Sequence, residues 1–109
     1  MVAMNDIQAV VNRIAEAYDP ERVVLFGSHA RGTATDDSDV DLLVILAFEG
    51  KPFWKSLEIA NRVNPPFAMD LLARRPDDTQ RRYTQGDPLI REALDQGRVL
   101  YERSGARVD

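Results

Sequence analysis

The chain has 109 residues and no cysteine, which excludes disulfides and thiolate metal sites; with only one histidine, any metal must be held by oxygen. At 44% hydrophobic and 29% charged it has the composition of one globular domain, residues 1–109, too short for a second core. A formal net charge of -4 disfavours nucleic acid as a partner, and the absence of a basic leader or a span-length apolar run leads us to expect a cytoplasmic protein with no membrane segment.

In chain order, Ile7, Val10, Val11, Ile14, Ala15 and Tyr18 recur at helical intervals, predicting an amphipathic helix over 5–18 with Asn5 or Asp6 as its cap. Asp19-Pro20 ends it, because the residue before proline is pushed from helical angles. Residues 23–26, β-branched and aromatic, predict a short buried strand stopped at once by Gly27 and Ser28. The segment Gly27-Ser28-His29-Ala30-Arg31-Gly32 can then open a short helix with Ser28 near its cap and Gly32 closing it, offering unpaired N–H groups and a hydroxyl to an anion. Residues 40–46 predict a second strand. Asp39 and Asp41 stand at its start, and the two-residue period of a strand sends both to one face. Like charges there repel, and a carboxylate taken out of water unpaired is costly, so the pair asks for a cation, magnesium being the natural one. A phosphate-holding turn thus faces a candidate metal site. No Gly-Lys-Ser/Thr and no triple-glycine fingerprint is present, which excludes a P-loop and a dinucleotide fold.

A second helix is predicted from Pro52 or Phe53 to Val63, ended by Asn64-Pro65-Pro66, and a third strand over 68–73, apolar apart from Asp70. Residues 77–85 predict a short helix. Its Arg81, Arg82 and Tyr83 either meet phosphates or a base, or form a solvated helix face. Asp87 as cap and Pro88 at the first helical position start a last helix with the stripe Leu89, Ile90, Ala93 and Leu94, which Gly97 stops. A terminal strand over 99–101, able to pair at a sheet edge, precedes a loose tail over 103–109.

Gly27-Ser28, ten intervening residues, then Asp39 and Asp41 about one spacer resemble the nucleotidyltransferase superfamily related to DNA polymerase beta, most closely its minimal nucleotidyltransferases. The closing helix followed by RVLYER is similar to the same group. The resemblance implies an α/β (α+β) fold, a mixed sheet with flanking helices, and makes Asp70 the third acidic residue of a two-magnesium site with Asp39 and Asp41. In that setting Gly27, Ser28 and Arg31 would bind the phosphates of a nucleoside triphosphate, although Arg31 could instead pair with Asp36, Asp37 or Asp39, and His29 is given no role. The resemblance also implies ATP as substrate and transfer of AMP to a tyrosine of a HEPN-type toxin. The chain would then be a protein adenylyltransferase serving as antitoxin; the alternative is a non-catalytic module that neutralises its partner by binding. A nucleic-acid polymerase is disfavoured by the acidic balance and by the lack of residues for a template-holding domain.

Overall fold

A computed structural model describes residues 2–104. The apolar runs read above form the two central strands, β1 (Arg22–Phe26) and β2 (Val40–Ile45). They lie antiparallel, with Val24 opposite Leu43 and Phe26 opposite Asp41. On the far side of β2 runs β3 (Met69–Arg74), parallel to it, and on the far side of β1 runs β4 (Arg98–Glu102), antiparallel, giving the order β3-β2-β1-β4. This is the mixed sheet with flanking helices that the resemblance implies.

Helices on both faces explain why β1 and β2 are apolar, apart from Arg22 and Asp41, rather than alternating. Against one face pack α1 (Met4–Tyr18) through Ile7, Val10, Val11 and Ile14, and α3 (Pro52–Val63) through Ile59 and Val63. Their counterparts on the sheet include Val23, Leu25, Leu42 and Val44. The other face has a thinner cover. There α5 (Pro88–Gln96) sets Ile90 and Ala93 on Val24, Phe26, Leu43 and Ile45, with Tyr83 of α4 (Pro76–Thr84) beside them. The even-numbered residues of β2 and the odd-numbered residues of β3 thus go to the two-helix face, while Asp41 and Asp70 belong to the thinly covered one.

Most boundaries fall where local chemistry puts them. Asp19 and Asn64 end α1 and α3 in the left-handed region, at φ 44° and 43°, each ahead of a proline. The Asp87 carboxylate accepts the Leu89 and Ile90 N–H groups at 3.0 and 3.2 Å and caps α5, with Pro88 at its first position. Two expectations need correction. Neither Asn5 nor Asp6 caps α1: Ala3 is the cap residue, its carbonyl accepting the Asp6 and Ile7 N–H groups at 3.0 and 3.2 Å, and Met4 already packs on the core. The stripe of α5 is also narrower than predicted, since Leu89 is 42% exposed while Ile90 and Ala93 fill the sheet face.

β4 is an edge strand one residue longer at each end than predicted. The Tyr101 hydroxyl donates to Asp19 Oδ1 at 2.8 Å, and Arg103 donates its N–H to Glu21 O at 3.0 Å, so residue 103 is tied down rather than loose. The rest of the expected tail, 105–109, lies outside the described residues. Among the described residues no helix is long and apolar enough to cross a membrane.

Gly97 joins α5 to β4 in ordinary extended backbone, φ -79°, yet a Cβ there would stand 2.7 Å from Val24 Cγ1 and 2.8 Å from Leu25 O. Only a hydrogen lets α5 sit this close to β1. Gly97→Ala is expected to lower stability by about 1–3 kcal/mol through overpacking, read as an earlier midpoint in urea with an unchanged slope.

Candidate active site

The site forms where β1 stops. Gly27 follows Phe26 with φ 75° and ψ -156°, a conformation that side chains rarely tolerate. A Cβ built there would collide with Asp41 Oδ2 and lie 3.2 Å from its Cγ, so the glycine backbone is pressed against the carboxylate. Gly27 is the cap residue of α2 (Ser28–Arg31), its carbonyl accepting the Ala30 and Arg31 N–H groups, both at 3.1 Å. Ser28 is therefore the first residue of the helix rather than its cap. The N–H groups of Ser28 and His29, at the start of the turn, have no acceptor within it. Gly32 closes the turn in the left-handed region, φ 77°.

The loop that returns the chain to β2 is held by its own polar groups. Thr35 and Ser38 close a turn on each other, Thr35 N–H donating to Ser38 Oγ at 2.8 Å and Ser38 N–H to Thr35 O at 3.1 Å. His29 Nε2 donates to the Ser38 carbonyl at 3.3 Å, one residue before Asp39. Sequence reasoning gave His29 no role. Its position shows one: it ties α2 to the peptide that carries Asp39, and its ring lies near enough to Asp41 to act on that carboxylate electrostatically.

Asp39, Asp41 and Asp70 come to one end of the sheet. Asp41 and Asp70 are direct partners in the parallel register of β2 and β3, so their side chains leave the same face. Asp39 precedes β2 by one residue. Asp41 is half-buried and its pKa is raised above the ordinary carboxylate value, first by burial and then by the charges of Asp70, Asp39 and Glu92. Asp39 and Asp70 are exposed. Among the described residues, no three acidic or histidine groups stand close enough as placed to hold one ion.

Among the described residues the partner of Arg31 is Glu92, not the expected Asp36, Asp37 or Asp39. Its guanidinium meets Glu92 of α5 at 2.7 Å, with both side chains substantially exposed, so the pair adds little stability. The cluster of α4 is paired within its own helix and with α5 and its cap: Arg81 and Arg82 bind Asp78, Arg82 also meets Asp87, the Tyr83 hydroxyl donates to Asp95 at 2.7 Å, and Arg91 lies over the Tyr83 ring. Its basic side chains form a salt-linked helix face.

Residues 8–106 match the family described as polymerase beta, nucleotidyltransferase. The chain belongs to that family. Among solved structures, a Sulfolobus solfataricus protein assigned as a nucleotidyltransferase superposes with a TM-score of 0.65 at 20% identity, covering 95% of this chain and 84% of its own. A toxin–antitoxin crystallised with AMP-PNP gives 0.57 at 20% identity, and a mutant of the toxin–antitoxin MntA-HpeT gives 0.56 at 19%. Each covers 87% of this chain and 73% of the other. At these identities the likeness is one of fold. No curated protein sequence matches the chain.

A carboxyl whose pKa is raised on folding costs stability once it ionises, and the cost vanishes as pH falls below the pKa of the unfolded chain. Asp41→Asn is therefore expected to raise the melting temperature at neutral pH, with the gain shrinking toward zero as pH is lowered to about 4. Paired thermal melts of wild type and variant across that range check the sign.

Proposed function

We propose that the chain is a magnesium-dependent nucleotidyltransferase that moves AMP from ATP to a hydroxyl of a partner protein, most specifically a tyrosine of a HEPN-type toxin, and so acts as its antitoxin in the cytoplasm. The observation that carries the reading is the pairing of Asp41 with Asp70 in parallel register while Gly27 brings the start of α2 against the Asp41 carboxylate. Family membership supports transfer of a nucleotidyl group, and the shared fold of a toxin–antitoxin crystallised with AMP-PNP supports the nucleotide and the kind of partner. The HEPN type and the tyrosine rest on the family resemblance.

The donor set suits magnesium. Asp39, Asp41 and Asp70 supply only hard oxygen ligands, and the Asp41 carboxylate, disfavoured first by burial and then by its acidic neighbours, is one that a cation would stabilise. When bound, magnesium would neutralise phosphate oxygens and lower the pKa of the acceptor hydroxyl. The residues of this chain do the rest. Ser28 Oγ and the N–H groups at the start of α2 hold the terminal phosphates and stabilise the departing pyrophosphate by charge-assisted hydrogen bonds. Arg31, held only by an exposed ion pair, can leave Glu92 for the same phosphates. In the transfer the acceptor oxygen bonds to the α-phosphorus as the bond from that phosphorus to the bridging oxygen breaks. Asp70, exposed at the strand edge, accepts the hydroxyl proton and passes it to water.

Two measurements test this. Magnesium and ATP together are expected to raise the melting temperature of the wild type, and the double variant Asp39→Asn, Asp41→Asn to show no rise. With both present, the partner toxin is expected to gain mass in multiples of roughly 330 Da, the mass of a transferred nucleotidyl group, and Asp41→Ala to abolish the gain. Complete neutralisation of the toxin with no added mass would leave the non-catalytic binding module in its place.

A further inference from the structure

Beside Asp70 the sheet has an open side. A groove of about 460 Å³ runs between the outer edge of β3 and helix α3, and Asp70 is part of its wall. The α3 side is apolar and exposed, with Phe53 at 65% and Leu57 at 43%, and Trp54, 62% exposed, packs edge-on against Phe53 just outside. Such a cluster on one helix face is unusual for a surface that meets only water.

The backbone of β3 defines what the groove can take. Val40 N–H donates to Ala68 O at 3.0 Å and Leu46 N–H to Arg74 O at 3.1 Å, so in the parallel ladder the even-numbered residues of β3 point their peptide groups at β2. Those of Met69, Leu71 and Ala73 point away from the sheet. At Ala73 the edge is closed from within, because its N–H donates to Ser56 Oγ at 2.8 Å and its carbonyl accepts from Arg74 at 2.9 Å. Among the described residues Met69 and Leu71 have no such cover, and both line the groove. Two residues of free strand edge therefore run directly into the carboxylate site.

The wall away from α3 has a charge preference. Arg74 lies on the same face as Asp70, four positions along β3, roughly 13 Å at strand spacing. Its Nε is buried with no hydrogen-bond partner. The carboxylates near it, Asp78 and Asp87, are already engaged by Arg81 and Arg82, and Arg82 also lines the groove. Arg81 and Arg82 thus take both carboxylates, and among the described residues Arg74 has no ion pair of its own on this wall. Its other end presents Asp70.

We propose that this groove holds an extended segment of the acceptor protein as an added strand on the Met69–Leu71 edge of β3, with apolar side chains against Phe53 and Leu57, an acidic side chain on Arg74, and the acceptor hydroxyl beside Asp70. The inference rests on the reading that the acceptor is a protein. Main-chain hydrogen bonds would supply affinity, and the spacing between Asp70 and Arg74 would supply specificity. The hydroxyl residue and the acidic residue should stand about four positions apart in the guest, in an order set by strand direction.

The test uses fluorescein-labelled decapeptides carrying a tyrosine among apolar residues, with glutamate four positions before or after it, and matched peptides with lysine in place of glutamate. Anisotropy titrations without nucleotide keep the result separate from the transfer chemistry. In one of the two orders the glutamate peptide is expected to bind the wild type about tenfold more tightly than its lysine match, a preference that Arg74→Gln removes. Met69→Pro, which deletes an outward N–H at the first position of an edge strand, and Leu57→Asp, at an exposed helix position, are each expected to weaken binding about tenfold. Both variants should keep the melting-temperature rise given by magnesium and ATP, which shows that they fold and that the nucleotide reading stands by itself. Equal binding of glutamate and lysine peptides by the wild type, or undiminished binding by Met69→Pro and Leu57→Asp, would overturn the proposal. So would a peptide-free dimer that Met69→Pro dissolves, because the edge would then belong to a second copy of this chain.

Discussion

The parallel register that sets Asp41 beside Asp70 is the constraint on which the candidate site depends. Two carboxylates placed side by side by a parallel register cannot be buried without raising the pKa of one, and burial and its acidic neighbours raise that of Asp41. The fold tolerates this by covering the two sheet faces unequally. The face packed by α1 and α3 carries the larger apolar cluster, whereas the face bearing the carboxylates has α5 and a few neighbours.

What the amino-acid sequence makes legible here is whatever neighbouring residues decide. β1 and β2 could be read because strands buried on both faces become continuous apolar runs. Pro52, Pro88 and Asp87 marked helix starts through chemistry that acts within one turn. The spacing of Asp39 and Asp41 pointed to the candidate site through strand period, although Asp39 stands just before β2. Asp70 needed more, because its place beside Asp41 depends on a parallel pairing across the α3 crossover, and only the family resemblance supplied that.

The parts that were not legible are set by contacts distant in sequence. Nothing near Arg31 announces Glu92 as its partner, since α5 must first pack on β1. His29 reads as an exposed loop residue until the return of the loop brings the Ser38 carbonyl to its ring. The pattern of α3 shows apolar residues at helical intervals but cannot tell a covered stripe from an open one, and Phe53, Trp54 and Leu57 are open. The cap of α1 was misread for a related reason. A good capping side chain at Asn5 or Asp6 loses to the packing of Val2 and Met4 on the core, which starts the helix earlier.

The place of β4 has a consequence for how the chain acquires its shape. β1 is an interior strand only because residues 98–102 return to its open side, so the strand that carries Val23 to Phe26 into the centre of the sheet is completed by a segment more than 70 positions later. The Tyr101 to Asp19 hydrogen bond spans 82 positions and joins the same two regions. During synthesis the other described strands and helices, all earlier in the chain, are made before that side of β1 can be covered. A nascent chain at that stage exposes an unpaired, strongly apolar edge, the kind of surface on which neighbouring chains aggregate and to which chaperones bind. Pairing at such long range also places a substantial loop-closure cost before the last contacts form, which slows folding relative to a helical protein of this size.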